Sequence, residues 1–196
     1  VPIPISGNPI SAALCEKWLA VLSLVNRQQA TVSLFDAKGA LLQQTGVGLH
    51  RGMATLSFVC PERLLILGTD FRVTEATVGP PLTLGPTVTL SGPEVAASRV
   101  RNSQLGGIAG QSQFFSGYIP GRNGHHLFFL SPYRFKEGAR LVQFDSQGTQ
   151  VASYRLLAEE AGKPAQLLVD FGRIAADEDK IWLVAANGSQ FSFRRP

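Results

Sequence analysis

The chain repeats itself, and the length of the repeat limits what it can fold into. ATVSLFDAKGALL over Ala30–Leu42 is echoed by ARLVQFDSQGTQV over Ala139–Val151. The heart of the echo is Phe-Asp-x-x-Gly, at Phe35, Asp36 and Gly39 and again at Phe144, Asp145 and Gly148, about 109 residues on. Upstream, Leu19–Ser23 (LAVLS) lines up with Leu127–Ser131 (LFFLS). Downstream, Gly52–Leu56 matches Lys163–Leu167, and Phe71–Val73 matches Ile181–Leu183. A period this long is too long for a solenoid and suits two copies of a small domain. The expected boundaries are 1–85 for the first unit, 86–110 for a connector and 111–196 for the second unit.

Within each copy the pattern is that of strands. Val32 and Leu34 alternate with Thr31, Ser33 and Phe35, and Asp36-Ala-Lys-Gly39 then supplies a turn. Asp can bond nearby backbone amides and Gly can take a positive φ, so Phe-Asp-x-x-Gly is explained as packing followed by a turn. Strands are expected at 19–24, 55–59, 63–67, 71–76, 127–130, 166–170, 180–185 and 190–193, with a short swapped edge strand at 87–90. Short helices are expected at 11–18 and 174–179. Strands at about 8–12-residue spacing with Gly and Pro between them describe an all-β chain of two tandem antiparallel β-sandwiches.

Composition narrows the functional classes. Only 16% of the residues are charged, below the usual quarter, against 44% hydrophobic. The surface is therefore rich in Ser, Thr, Gln, Gly and Ala, as in many extracellular or assembled proteins. The net charge of +4 is spread along the chain rather than blocked. A nucleic-acid partner is not expected, because such proteins cluster basic and aromatic residues on one face. No stretch reaches the roughly 18 apolar residues of a membrane span. The only methionine is Met53, so Val1-Pro-Ile-Pro-Ile5 reads as a mature N-terminus left after leader removal. These features place the protein outside the cytoplasm: secreted, periplasmic or at the cell surface.

Two cysteines, Cys15 and Cys60, flank the central strands of the first unit and read as a disulfide in an oxidising compartment. The Pro-rich segment Val1, Pro2, Ile3, Pro4 and Ile5 cannot sit in a central ladder and reads as an arm that reaches a partner. Phe114, Phe115, Tyr118, His125 and His126 crowd the opening of the second unit and are candidate ligand or interface residues. Adjacent imidazoles on one strand point to opposite faces and would not chelate one metal. No nucleophile elbow, phosphate loop or zinc spacing is present, so neither catalysis nor a metal or other cofactor is expected.

Leu22-Ser-Leu-Val-Asn26, then Phe35-Asp-Ala-Lys-Gly39, then Leu49-His-Arg-Gly52 form an ordered series, with Leu130-Ser-Pro-Tyr133 standing for its first step in the second copy. The series resembles exported bacterial tandem β-sandwich (Ig-like) repeat modules. That resemblance implies adhesion, scaffolding or surface assembly. The expectation is a non-catalytic structural subunit of an extracellular or envelope assembly, such as a filament, coat or surface complex, joined through sheet edges and the N-terminal arm. Its partners would be further copies of itself or other envelope proteins. The alternative is an adhesion module for a glycan or a protein.

Overall fold

The computed structural model describes residues 5, 7–49, 54–59, 62–68, 70–79, 81–97, 117–120, 126–130, 139–160, 163–166, 173–176, 179–184 and 188–196. The chain divides into two compact units, Val1–Thr89 and Leu90–Pro196. Among the described residues both are built almost wholly of antiparallel strands, with one helical turn at 93–97.

The first unit holds two four-stranded sheets. Strands β1 (Asn8–Cys15), β2 (Trp18–Asn26), β3 (Gln29–Asp36) and β4 (Leu41–Gly48) lie side by side in chain order. Strands β5 (Ala54–Val59), β6 (Arg63–Gly68), β7 (Arg72–Thr77) and β8 (Thr83–Thr89) form the second sheet in the same way. The sheets meet through one core. Ala20, Leu22, Ala30, Val32 and Leu34 from the first pack with Leu56, Leu64, Ile66 and Ala76 from the second. Polar ties cross the same interface. The Leu56 N–H donates to Ser11 Oγ at 3.0 Å, and the Leu82 N–H donates to Gln43 Oε1 at 2.6 Å.

The second unit repeats the plan. Strands β9 (Gly117–Pro120), β10 (His126–Leu130), β11 (Arg140–Phe144) and β12 (Gln150–Arg155) form a sheet in sequential order. A hairpin follows, β13 (Leu157–Glu160) with β14 (Lys163–Gln166), and then a three-stranded sheet of β15 (Arg173–Ala176), β16 (Lys180–Val184) and β17 (Gln190–Arg194). Ile119, Leu127, Leu141, Leu156, Ile181 and Leu183 make the shared core.

Each copy of the sequence repeat therefore spans more than one sheet. Its turns are the same object made twice. Asp36 Oδ1 accepts from the Lys38 and Ala40 amides at 2.9 and 2.8 Å. Asp145 Oδ1 accepts from the Gln147 and Thr149 amides at 3.0 and 2.8 Å. Gly39 and Gly148 sit at φ 82° and 83°, the left-handed region that a Cβ disfavours. Asp36→Ala and Asp145→Ala should each cost about 1 kcal/mol, the net worth of the lost amide contacts at an exposed site. Chemical denaturation of the two variants checks this, and unequal losses would show that the turns are not equivalent.

Four expectations change. Each unit does pack sheet on sheet, but its connectivity is not Ig-like. Ig sheets interleave distant strands (A, B, E and D against C, F and G), whereas here every sheet is a meander of consecutive strands. The expected helix at 11–18 is the β1–β2 hairpin, with Ala13 paired to Ala20 and Cys15 to Trp18. The expected helix at 174–179 is β15 in its first half, where Ile174 pairs with Leu183. In both places alternate burial against a neighbouring strand outweighs weak helix propensity. Part of the expected 86–110 connector is also built in. Residues through Thr89 belong to β8, and residues 98–110 lie outside those described.

Central strands are covered on both faces. In β2 and β3 the residues facing away from the shared core, Val21, Ser23, Ser33 and Phe35, are as buried as those facing it. The same holds for Leu65 and Leu67 of β6, and for Phe128, Val142 and Phe144 of β10 and β11. In β16 the pattern differs. Ile181 and Leu183 are buried, while Trp182 is 38% and Val184 37% exposed.

Candidate functional site

The residues singled out in the sequence fall in different places. Cys15 closes β1, is buried and is disulfide-bonded. Cys60, the other cysteine of the chain, lies outside the described residues, as do Val1, Pro2, Ile3 and Pro4 of the arm. Ile5 is exposed. Phe114, Phe115 and His125 also lie outside the described residues. Tyr118 is in β9, its backbone opposite Phe128, and His126 opens β10 between Pro120 and Phe144. Tyr118 and His126 therefore belong to neighbouring strands of one sheet. Of the aromatic residues around them, Phe128 is core, packed edge-to-face on Phe144 with centroids 5.5 Å apart.

Among the described residues the exposed aromatic side chain lies elsewhere, at Trp182 on β16 beside β17. The antiparallel register sets Lys180 opposite Arg194, Trp182 opposite Ser192 and Val184 opposite Gln190. All six are exposed and share one face. An indole and a valine thus sit in a field of hydroxyl, amide and two cationic groups. A cleft of about 630 Å³ is lined by Asp179, Lys180, Ser192, Phe193, Arg194 and Arg195, at the shared end of β16 and β17. Among the described residues its lining carries Lys180, Arg194, Arg195 and Asp179 as charged groups. The Arg195 N–H donates to the Asp179 carbonyl at 2.8 Å, which pins the end of β17 to the start of β16. The strands at 180–185 and 190–193 are legible in the sequence. In KIWLV over Lys180–Val184 only Lys180 is polar, and it is the pairing of Trp182 with Ser192 and of Val184 with Gln190 that marks the outer face.

A second polar cluster organises the start of the second unit. The carboxylate of Glu94 accepts from Arg140 at 2.6 Å and from the Ser153 hydroxyl at 3.0 Å, while the Glu94 N–H donates to Gln150 Oε1. Ser91 is bridged to Thr149, accepting from the Gln150 N–H at 2.9 Å and donating to the Gly148 carbonyl at 2.8 Å. These contacts fasten residues 91–97 to the outer strand β12. These polar groups bond to one another and to backbone, which is a structural role. Among the described residues no group of three His, Cys, Asp or Glu side chains is placed to hold a metal ion. No described helix is long and apolar enough to cross a membrane.

No protein-family model matches the chain, and no curated protein matches it. Among solved structures it is similar to the computationally designed Ika4 protein, at 12% identity and a TM-score of 0.50, over 98% of this chain and 94% of that one. It is also similar to a protein of unknown function from Bacteroides caccae, at 10% identity and a TM-score of 0.51, over 99% of this chain and 80% of that one. At such identities the likeness concerns the fold alone, an all-β chain of successive small antiparallel sheets.

Proposed function

We propose that the protein is a non-catalytic module of an extracellular or envelope assembly, built of blade-type β-sheets and joined to its partners through their outer strands. A four-stranded meander is the unit from which β-propeller blades are made. Sequential strand order and central strands covered on both faces fit that unit better than the outer layer of a two-sheet sandwich. The disulfide at Cys15 fits an oxidising compartment.

One observation carries the assembly reading. Leu42 on β4 and Val151 on β12 occupy the same position of the repeat, on the outermost strand of their sheets, and each is 49% exposed. An apolar side chain shown twice at equivalent outer positions is suited to a contact made twice, as in quasi-symmetric packing. Static light scattering over a dilution series tests it. The expected result is a concentration-dependent rise above the monomer mass, abolished by Leu42→Glu with Val151→Glu. A monomer at every concentration would overturn the reading.

A second reading, an adhesion module for a glycan, is favoured by Trp182, exposed on a sheet face opposite Ser192. It predicts glycan binding that Trp182→Ala removes.

A further inference from the structure

We infer that the outer edge of β4, where it leaves the Gly39 turn, takes up residues 1–5 of a second copy of the chain as a further strand. This inference names the partner segment for the assembly reading and rests on it.

The repeat supplies the comparison. The β3–β4 and β11–β12 hairpins share one register. Thr31 faces Gly46 as Arg140 faces Arg155, Leu34 faces Gln43 as Gln143 faces Ala152, and a bulge falls at the same step before Phe35 and Phe144. Their turns are bonded alike, the Asp36 N–H to the Ala40 carbonyl at 3.0 Å and the Asp145 N–H to the Thr149 carbonyl at 2.9 Å. In the second hairpin the edge just past the turn is in use. The Gly148 C=O and the Gln150 N–H hold the backbone of Ser91 in a parallel bridge. The equivalent groups of the first hairpin are the Gly39 C=O and the Leu41 N–H. Among the described residues no further segment is bonded to them. Leu41 is accordingly 42% exposed, whereas Gln150 is half-buried against Gly92 and Glu94. Further along β4, Gly46 and Gly48 have no atom within 4 Å of where a Cβ would stand, so the strand is open beyond the leucines as well.

Side chains at the edge select the occupant. Where Glu94 meets Arg140 and Ser153 in the second hairpin, the first has Thr31 and Gln44 at the same positions, and Leu41 stands for Gln150. A segment like the one at Ser91 would lose the cation that its Glu94 meets. An apolar segment covers Leu41 and Leu42 instead. Val1-Pro-Ile-Pro-Ile5 is apolar throughout. In an extended chain the main-chain groups of alternate residues face one side. Ile3 and Ile5 would therefore offer their N–H groups to one side, and Pro2 and Pro4 leave the other side without donors. Such a strand can join an edge but cannot pass the ladder on, so addition stops at one. The chain's own segment does not reach this edge. It leads into β1, which with β4 forms the two opposite rims of the sheet, three strand spacings or about 14 Å apart. The three steps from Ile5 to Asn8 span at most roughly 10 Å. A second copy has no such limit.

The test uses the whole chain and the peptide Val-Pro-Ile-Pro-Ile-Ser with a C-terminal fluorescein, read by fluorescence anisotropy. Its controls are the same peptide N-methylated at both isoleucines and one with Glu in place of both. The expected result is saturable binding of the unmodified peptide alone, weakened at least tenfold by Leu41→Glu and by Leu41→Pro, the latter removing the outward N–H. Equal binding of the N-methylated peptide would overturn strand addition in favour of simple apolar adhesion, and absence of peptide binding would overturn the inference outright. Peptide binding by a chain that stays monomeric throughout the dilution series would overturn the second copy as the source of the strand. A mass that rises with concentration while no peptide binds would sink this inference and leave the assembly reading standing. Should Leu41→Pro not fold, Leu41→Glu and the N-methylated peptide decide the matter.

Discussion

Phe144→Ala is expected to cost about 3–5 kcal/mol of folding stability, and Phe35→Ala a similar amount. Both rings are fully buried, and both stand at the same position of the repeat, just before the Asp-x-x-Gly turn. Each lies on the face of its central strand opposite the core cluster of its unit. Truncation removes the transfer free energy of a whole aromatic side chain and leaves a cavity that a strand held on both edges cannot collapse to fill. Phe144 also loses its edge-to-face contact with Phe128 at 5.5 Å, worth roughly 1 kcal/mol beyond area. Denaturant unfolding measures both losses. A loss below about 1 kcal/mol at either position would mean that the far face of these strands is not a packed core.

Breaking the disulfide is the second large effect. Cys15→Ala should lower stability by about 2–5 kcal/mol, because the cross-link restricts the unfolded chain far more than the folded one. Cys15 is also 3% exposed, so the variant removes apolar packing as well as the bond. Thermal unfolding with and without reductant separates the two contributions. Reductant should bring the wild type most of the way to the variant and leave the variant unchanged. A wild type indifferent to reductant would show that the bond adds nothing to stability.

The sequence made much of the local structure legible, for identifiable reasons. The Asp36 and Asp145 turns are written in residues whose short side chains and permissive φ allow little else. The strands at 63–67, 127–130 and 190–193 appear as β6, β10 and β17 to within a residue or two. The way the sheets are made was harder to read. Alternation tells which residues share a face, and it is silent on whether the next strand in sequence or a distant one lies alongside. One signal for covered faces was present in the uninterrupted apolar runs of Trp18–Leu22 and Leu64–Leu67. A strand that needs a polar face cannot afford such a run, whereas one sheltered on both sides can. The aromatic crowding at the start of the second unit pointed to Phe114, Phe115 and Tyr118. The outer face with Trp182 escaped notice because one tryptophan in an ordinary alternating strand carries no local oddity. Its meaning comes from Ser192 and Arg194, placed beside it by the β16–β17 register.

The sequential strand order also bears on how the chain reaches its folded state. Every rung of the first ladder closes between residues 8 and 48, and every rung of the second between residues 54 and 89. Loops this short lose little entropy on closure, so an antiparallel protein of this design escapes much of the slowness that long-range pairing imposes on β-rich chains. During synthesis the first meander has all its residues before the second has begun to emerge. An early sheet then waits for the next one to cover its apolar face. The interval between the two is when the nascent protein exposes the most hydrophobic surface, and a chaperone would find its substrate there.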